Sequence, residues 1–397
     1  MKIKSFKYRI LPTQEQQVLI AKHFWVSRFV WNYYLRQRQD YYLTNKEEIE
    51  AKRIKWWLNY YDNAKDLTQL KKQDWFHWVS EVNSQTLQAT LKHLEWAYRM
   101  FFRKSHQFPK YKSKKKDRSF TIPQYITIKE WKLSIPKFKE WIKINLHRPI
   151  EWDIINATIS INCLGQYFVS IACNVEIKEL PIIDKQVWVD LWIKDFAICS
   201  DWIVFENSKF LKQKQSKLKY IQSKYSKHKW KKTLKKLQKM YVKVSNQRQD
   251  FLHKVSTKLI KENQLICLED LNVKGIMKNH CLAWSVADVA WTSFVSMLEY
   301  KADWYGRTIV KIDRWFPSSK MCNKCWWINQ ELTLKDRERE CKWCNTMVQR
   351  DLNASLNILQ QWINKYYGWW DISQKQDELP TLVGAMTLEA PTSLVLV

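Results

Sequence analysis

The sequence predicts a multi-domain α/β protein, and three observations carry that expectation. Strand-like alternation marks both ends of residues 1–184, around a block of helical patterning. Further on, apolar runs near residues 187–205 and 264–271 read as buried strands separated by a long helical stretch. Finally, Cys322, Cys325, Cys341 and Cys344 have the C-x2-C-x15-C-x2-C spacing of a four-cysteine zinc ribbon.

Taken in order, residues 1–12 (MKIKSFKYRILP) alternate as a basic strand does. Thr13 and Gln16 then form a candidate capping box, and Val18, Leu19, Phe24, Phe29 and Tyr33 follow with helical patterning. A second helix is expected from about Asn83 to Arg103, with Leu87, Leu91, Leu94, Tyr98 and Phe101 at helical spacing. The stretch FPKYKSKKKDRSF, Phe108 to Phe120, interleaves rings with lysines. It reads as a phosphate-facing strand or as a solvated charged loop, and the aromatics favour the strand. From Ile126 to Val175 the pattern is strands; Tyr167, Val169, Ile171, Cys173 and Val175 alternate after a turn at Gly165.

A new block opens near Lys185. Val187 to Phe205 reads as two or three hairpin-connected strands, and residues 209–262 as long, very basic helix. Gln264 to Leu271 is a short buried strand ending in two carboxylates. A helix is expected over about Val286 to Trp304 and a strand over Arg307 to Asp313. After the cysteines, Leu352, Leu356, Leu359 and Ile363 share one helical face; residues 372–397 read as a flexible tail.

Formal net charge is +28, with 67 Lys and Arg against 39 Asp and Glu over 397 residues, a field suited to a polyanion. No apolar run reaches the roughly 18 residues of a membrane span and no secretory signal opens the chain, so a cytoplasmic protein without membrane partners is expected. The cysteine spacing suits a reducing compartment and a closed, structural Zn²⁺ site. Cys163, Cys173, Cys199 and Cys267 read as small core residues on strands.

Three acids sit where charge is costly unless paired or metal-bound. Asp190 lies within the apolar run VWVDLW, Glu269 at the end of ICLE, and Asp351 at the start of an amphipathic helix. Acids borne on two strands and a helix can converge on two Mg²⁺ ions roughly 3.5–4 Å apart, one for an attacking water and one for the leaving oxygen. Asp270 competes with Glu269, but strand alternation turns the two to opposite faces. Asp195, Asp201 and Asp313 are lesser candidates; Asp201 reads as a turn residue and Asp313 as a local partner of Arg314.

Glycine occurs 5 times and tryptophan 24 times. Average usage of about 7% gives roughly 28 glycines in a chain of this length. Many tryptophans stand where a turn wants glycine. Asp201-Trp202 occupies a hairpin position that Asp-Gly favours, and Trp326 and Trp343 fall in the knuckle turns. A codon such as UGA, read as Gly in the source cell and as Trp in translation, accounts for both counts; a genuinely Trp-rich aromatic core is the alternative. Trp31 and Trp315, in apolar surroundings, read as ordinary tryptophans.

The segments VDLWIKDFAICSDW, LEDLNVKGI, DRWFPSSKMCNKC and QRDLNASLNI, in this order and spacing, resemble the transposon-encoded TnpB (OrfB) family. LPTQEQ, FVWNYYL, NSQTLQATLKHLEWAYRMFF and FPKYKSKK extend the resemblance over nearly the whole chain. The resemblance implies an RNA-guided DNA endonuclease with guide RNA and target DNA as partners. It implies a RuvC-type, ribonuclease-H-like nuclease domain over residues 185–317 and 348–371, with the zinc ribbon inserted at 318–347. It further implies an N-terminal β-barrel wedge over 1–184, carrying a helical recognition insert at about 13–125. By the same resemblance Asp190, Glu269 and Asp351 are the catalytic Mg²⁺ ligands, and the four cysteines hold zinc. Two departures stand out. Gln349 replaces the first acid of a usual Asp-Arg-Asp, and Trp188, Trp192, Trp202, Trp326 and Trp343 stand where the family has glycine. A nuclease-inactive nucleic-acid-binding regulator and a strand-joining transposase are the alternative readings.

Overall fold

The computed structural model describes residues 1–51, 53, 55, 57–150, 152–191, 193, 195–201, 203–269, 271–278, 288–312, 317, 320–332, 338–349, 353 and 357. The chain divides into two compact units, residues 1–177 and 178–397.

In the first unit, β1 (Lys2–Leu11) turns Phe6, Tyr8 and Ile10 inward and Lys7 and Arg9 outward. It lies within a seven-stranded antiparallel sheet with β2 (Ser119–Ile122), β3 (Thr127–Lys129), β4 (Lys132–Ser134), β5 (Ile142–Asn145), β6 (Asp153–Ile161) and β7 (Tyr167–Val175). The order is β2-β6-β7-β1-β5-β4-β3. β1 pairs along Lys2–Ile10 with β7 and through Arg9–Leu11 with β5, so the opening strand is completed only by strands that follow the helices. One core collects Tyr8, Ile10, Ile122, Leu133, Ile144, Ile159 and Ile171. Two hairpins need left-handed backbone. Gly165 (φ 77) supplies it between β6 and β7, whereas Glu130 (φ 45) and Trp131 (φ 63) supply it between β3 and β4.

Between β1 and β2 the chain is helical. The expected capping box is present: the Gln16 amide donates to Thr13 Oγ1 at 3.3 Å and the Thr13 amide to Gln16 Oε1 at 3.0 Å. It starts α1 (Gln14–Thr44), which is followed by α2 (Lys46–Glu50), α3 (Tyr60–Leu70), a 3₁₀ helix at Asp74–Glu81 and α4 (Ser84–Phe102). Asn59 and Asn83 cap α3 and α4. Val30, Tyr34, Leu35, Leu67, Leu87, Leu91 and Leu94 form their common core. Inside it, Arg38 Nη2 stands 3.1 Å from Glu95 Oε2, Arg38 Nε donates to Asn63 Oδ1 at 2.7 Å, and the guanidinium lies over the Tyr98 ring.

The strand expected over Phe108 to Phe120 begins only at Ser119. Side chains of α1 take the hydrogen bonds that a ladder requires. Asn32 accepts from the Lys112 amide at 2.7 Å and donates to its carbonyl at 3.0 Å, and Trp31 Nε1 donates to the Lys110 carbonyl at 3.0 Å. The segment is thereby an ordered loop on α1. Cys163 corrects another expectation: it is exposed, near the Gly165 turn, because that hairpin tip leaves the core. Cys173, Cys199 and Cys267 are buried on strands as expected, and burial pushes the last two thiols up to about 12.

The second unit holds a five-stranded sheet of β8 (Gln186–Leu191), β9 (Asp195–Cys199), β10 (Val204–Glu206), β11 (Leu265–Glu269) and β12 (Thr308–Ile312). Its order is β10-β9-β8-β11-β12. The first three strands form an antiparallel meander; β11 runs parallel to both β8 and β12. This 3-2-1-4-5 arrangement is the ribonuclease-H-like sheet that the resemblance implies. The basic stretch supplies α5 (Phe210–Gln213), α6 (Gln215–His228) and α7 (Lys231–Glu262) between β10 and β11. Then α8 (Val273–Ile276) and α9 (Trp291–Tyr305) lead to β12. Residues 288–289 are helical and precede α9; the expected start at Val286 lies outside the described residues. Val187, Val189, Leu191, Ile266 and Leu268 face α7 and α9 through Leu252, Leu259, Phe294 and Leu298. Gly306 (φ 67) closes α9 where a Cβ comes within 2.9 Å of Glu179.

Candidate functional site

Alternation along β8 sends Val187, Val189 and Leu191 into the helix-covered core, and Trp188 and Asp190 to the opposite face. On β11 the same rule sends Ile266 and Leu268 inward, and Leu265, Cys267 and Glu269 the other way. The parallel register pairs Cys267 with Trp188 and Leu268 with Val189. One step further, Asp190 and Glu269 stand side by side at the C-terminal ends of neighbouring strands, both half-buried. Burial, and then the negative charge of Asp190, hold the Glu269 carboxyl above the usual carboxylate range. Two acids that raise one another's cost in this way fit a divalent cation, whose charge offsets both.

Of the other acids, Asp201 is the turn residue expected. It pairs with Lys185 at 2.8 Å and accepts from the Ile203 amide. Asp195 opens β9 opposite Glu206. Asp351, Asp270, Asp313, Trp192 and Trp202 lie outside the described residues.

The four cysteines converge. Their sulfurs all lie within 4.8 Å of one another, with Cys322 and Cys344 at 3.7 Å and Cys325 and Cys341 at 3.5 Å. A tetrahedral Zn²⁺ with Zn–S bonds of about 2.3 Å places its sulfurs about 3.8 Å apart. The donor set therefore fits zinc with no open position. Each knuckle is closed by two backbone bonds. Trp326 N donates to Cys322 O and Cys322 N to Trp327 O, both at 2.8 Å; Asn345 N donates to Cys341 O at 2.8 Å and Cys341 N to Thr346 O at 2.9 Å. This geometry puts the residue after each second cysteine in left-handed backbone, Trp326 at φ 64 and Asn345 at φ 51. Trp343 has no positive φ, which corrects the expectation that it occupies a strained turn. Hydrogen bonds from Thr346 lower the Cys344 thiol to about 6. β13 (Glu338–Glu340) and β14 (Met347–Gln349) pair beneath the knuckles.

Two residues were missed from the sequence. Asn353 accepts from the Asn323 amide at 2.8 Å and donates to the Met321 carbonyl at 2.5 Å, and Asn357 donates to the same carbonyl at 2.7 Å. Both are buried, and they fasten the first knuckle to the segment two residues after Asp351. Asparagines four apart on the expected amphipathic face were the available signal.

The chain is 36% identical over 366 residues to a Streptomyces pristinaespiralis protein described as "Putative RNA-guided DNA endonuclease", covering 90% of this chain and 88% of the relative. It belongs to the TnpB (OrfB) family. A second TnpB relative, InsQ of Escherichia coli, carries the same description and is 27% identical, over 90% of this chain and 92% of its own. Family models match at residues 170–280 ("Probable transposase"), 291–358 ("Cas12f1-like, TNB domain") and 1–47 ("Helix-turn-helix domain"). In this TnpB chain the last of these covers a strand and one continuous 31-residue helix. Among solved structures, a Cas12f1–sgRNA–target DNA complex aligns over 90% of this chain and 99% of its own, at 15% identity and a TM-score of 0.32. No described helix is long and apolar enough to cross a membrane.

Proposed function

We propose that this protein is an RNA-guided, Mg²⁺-dependent DNA endonuclease of a transposable element, with guide RNA and target DNA as its partners. The observation that carries the reading is the Asp190–Glu269 pair, on adjacent strands of a ribonuclease-H-like sheet in a chain of net charge +28. Membership of a family whose relatives are described as RNA-guided DNA endonucleases supports it. Asp190, Glu269 and Asp351 are the proposed catalytic residues and Mg²⁺ ligands. Bound there, Mg²⁺ supplies a polarised water and neutralises charge on the scissile phosphate. The acids' own task is to fix that position at the strand ends, where backbone pairing holds both carboxylates in register. Cys322, Cys325, Cys341 and Cys344 are proposed to hold a structural Zn²⁺. Guide pairing selects the sequence, while the protein reads backbone shape and a short adjacent motif.

Asp190→Ala and Glu269→Ala should each reduce Mg²⁺-dependent cutting of guide-matched DNA to background, while binding of the copurifying RNA stays near wild type. Undiminished cutting by either variant removes the site assignment. Free double-strand ends as product agree with the endonuclease; strand-transfer joints point instead to a transposase.

A further inference from the structure

We infer that the cleft beside α1 is a binding pocket for one unpaired nucleotide of the guide RNA. The inference rests on the RNA-guided reading, but its test does not use cleavage. A cavity of about 380 Å³ opens between a stripe of α1 (Trp25, Arg28, Phe29, Asn32, Tyr33, Arg36) and Tyr111. The α1 residues recur at three- and four-residue steps, so they form one face of the helix. Tyr111 forms the opposite wall. It is set there by the Asn32 and Trp31 bonds to the neighbouring backbone and by its own hydroxyl, which donates to Gln39 Oε1 at 2.6 Å. The wall is thus built before any ligand arrives.

The lining combines ring faces with guanidiniums, the combination that stacks a base and holds its phosphate. Phe29, Tyr33 and Tyr111 supply the rings. Among the described residues Arg28 has no ion-pair partner, and Arg36 has only the exposed Asp40 at 3.4 Å. Beyond the rim, Lys110, Lys114, Lys115 and Lys116 are exposed along the same loop and continue the positive track. RNA fits better than DNA. Guide RNA offers unpaired bases in loops and bulges, whereas target DNA is paired either to its complement or to the guide, apart from one displaced strand. Trp25 also lines the cleft, in ring contact with Trp78 at 4.1 Å between centroids.

The test is photocrosslinking of the full-length protein to a single-stranded RNA oligomer carrying 5-iodouridine, beside a DNA oligomer of equal length carrying 5-iododeoxyuridine. Crosslinks are expected at Tyr33 or Tyr111 with the RNA. Tyr111→Ala should weaken RNA binding by roughly tenfold or more, and Arg28→Ala should lower both affinity and its salt dependence. Tyr111→Phe keeps the ring and the Asn32 and Trp31 bonds and loses only the bond to Gln39, so a defect clearly smaller than that of Tyr111→Ala is expected of it. Crosslinks confined to other surfaces, equal crosslinking of the DNA, unchanged affinity in both alanine variants, or a Tyr111→Phe defect as large as that of Tyr111→Ala would each overturn the pocket.

Discussion

Trp326 and Trp131 sit in left-handed backbone, at φ 64 and 63, where a Cβ costs about 1–2 kcal/mol. Trp188 buries an indole N–H group that finds no acceptor. Each observation fits a position that takes glycine in the cell, and together they extend the composition argument to particular residues. Peptides of the protein from its source organism that span Trp131 and Trp326 should therefore lack the mass of the indolylmethyl group. Peptides carrying that mass end the idea. A chain made with Trp131→Gly and Trp326→Gly should melt a few degrees higher than the chain as written, because strain leaves two turns. The knuckle geometry also explains why Trp343 misled. Sequence reading placed strain anywhere in the tight turn, whereas the backbone bonds place it on the residue after the second cysteine. In the second knuckle that residue is Asn345, a type that tolerates the conformation.

Helix starts were legible because their caps are local chemistry, and Thr13 with Gln16 closes the capping box as read. The strands of the second unit were legible from apolar runs, and Asp190 and Glu269 from being acids inside them. The ordered loop before Ser119 was not. Whether lysines and rings form a strand depends on what pairs with the backbone, and here the partners are Asn32 and Trp31, some 80 residues earlier. The Arg38–Glu95 contact was equally invisible, since it joins two helices through side chains only 3% and 9% exposed. The geometry is an ion pair more than an aligned hydrogen bond, because neither Arg38 Nη2 nor Glu95 Oε2 finds a well-directed partner. Glu95→Ala leaves a buried guanidinium with only Asn63 and the Tyr98 ring. It should destabilise the helical block by roughly 3–5 kcal/mol in denaturant unfolding. A change near zero shows that water reaches Arg38.

At the scale of the molecule, charge and metal act separately. The positive excess suits a polyanion and says nothing about fold, whereas the four cysteines gather a ribbon in which, among the described residues, two short strands pair. Removing zinc with a strong chelator, or substituting Cys322→Ser, should lower the unfolding temperature of the second unit and release one zinc per chain by elemental analysis. Retention of both temperature and metal rules out the four-cysteine site. Asn353 and Asn357 carry the ribbon's loss onward, because they grip the Met321 carbonyl and the Asn323 amide of the first knuckle.

The parallel pairing of β8 with β11 has a temporal side. The two strands are separated by roughly seventy residues, which a ribosome adding about 5–20 residues per second takes about 4–15 s to deliver. During that interval the inner edge of β8 is open and Asp190 has no neighbouring glutamate. On the proposed assignment of the metal-holding acids, a chain still being made has no complete site until Glu269, and after it Asp351, have been added.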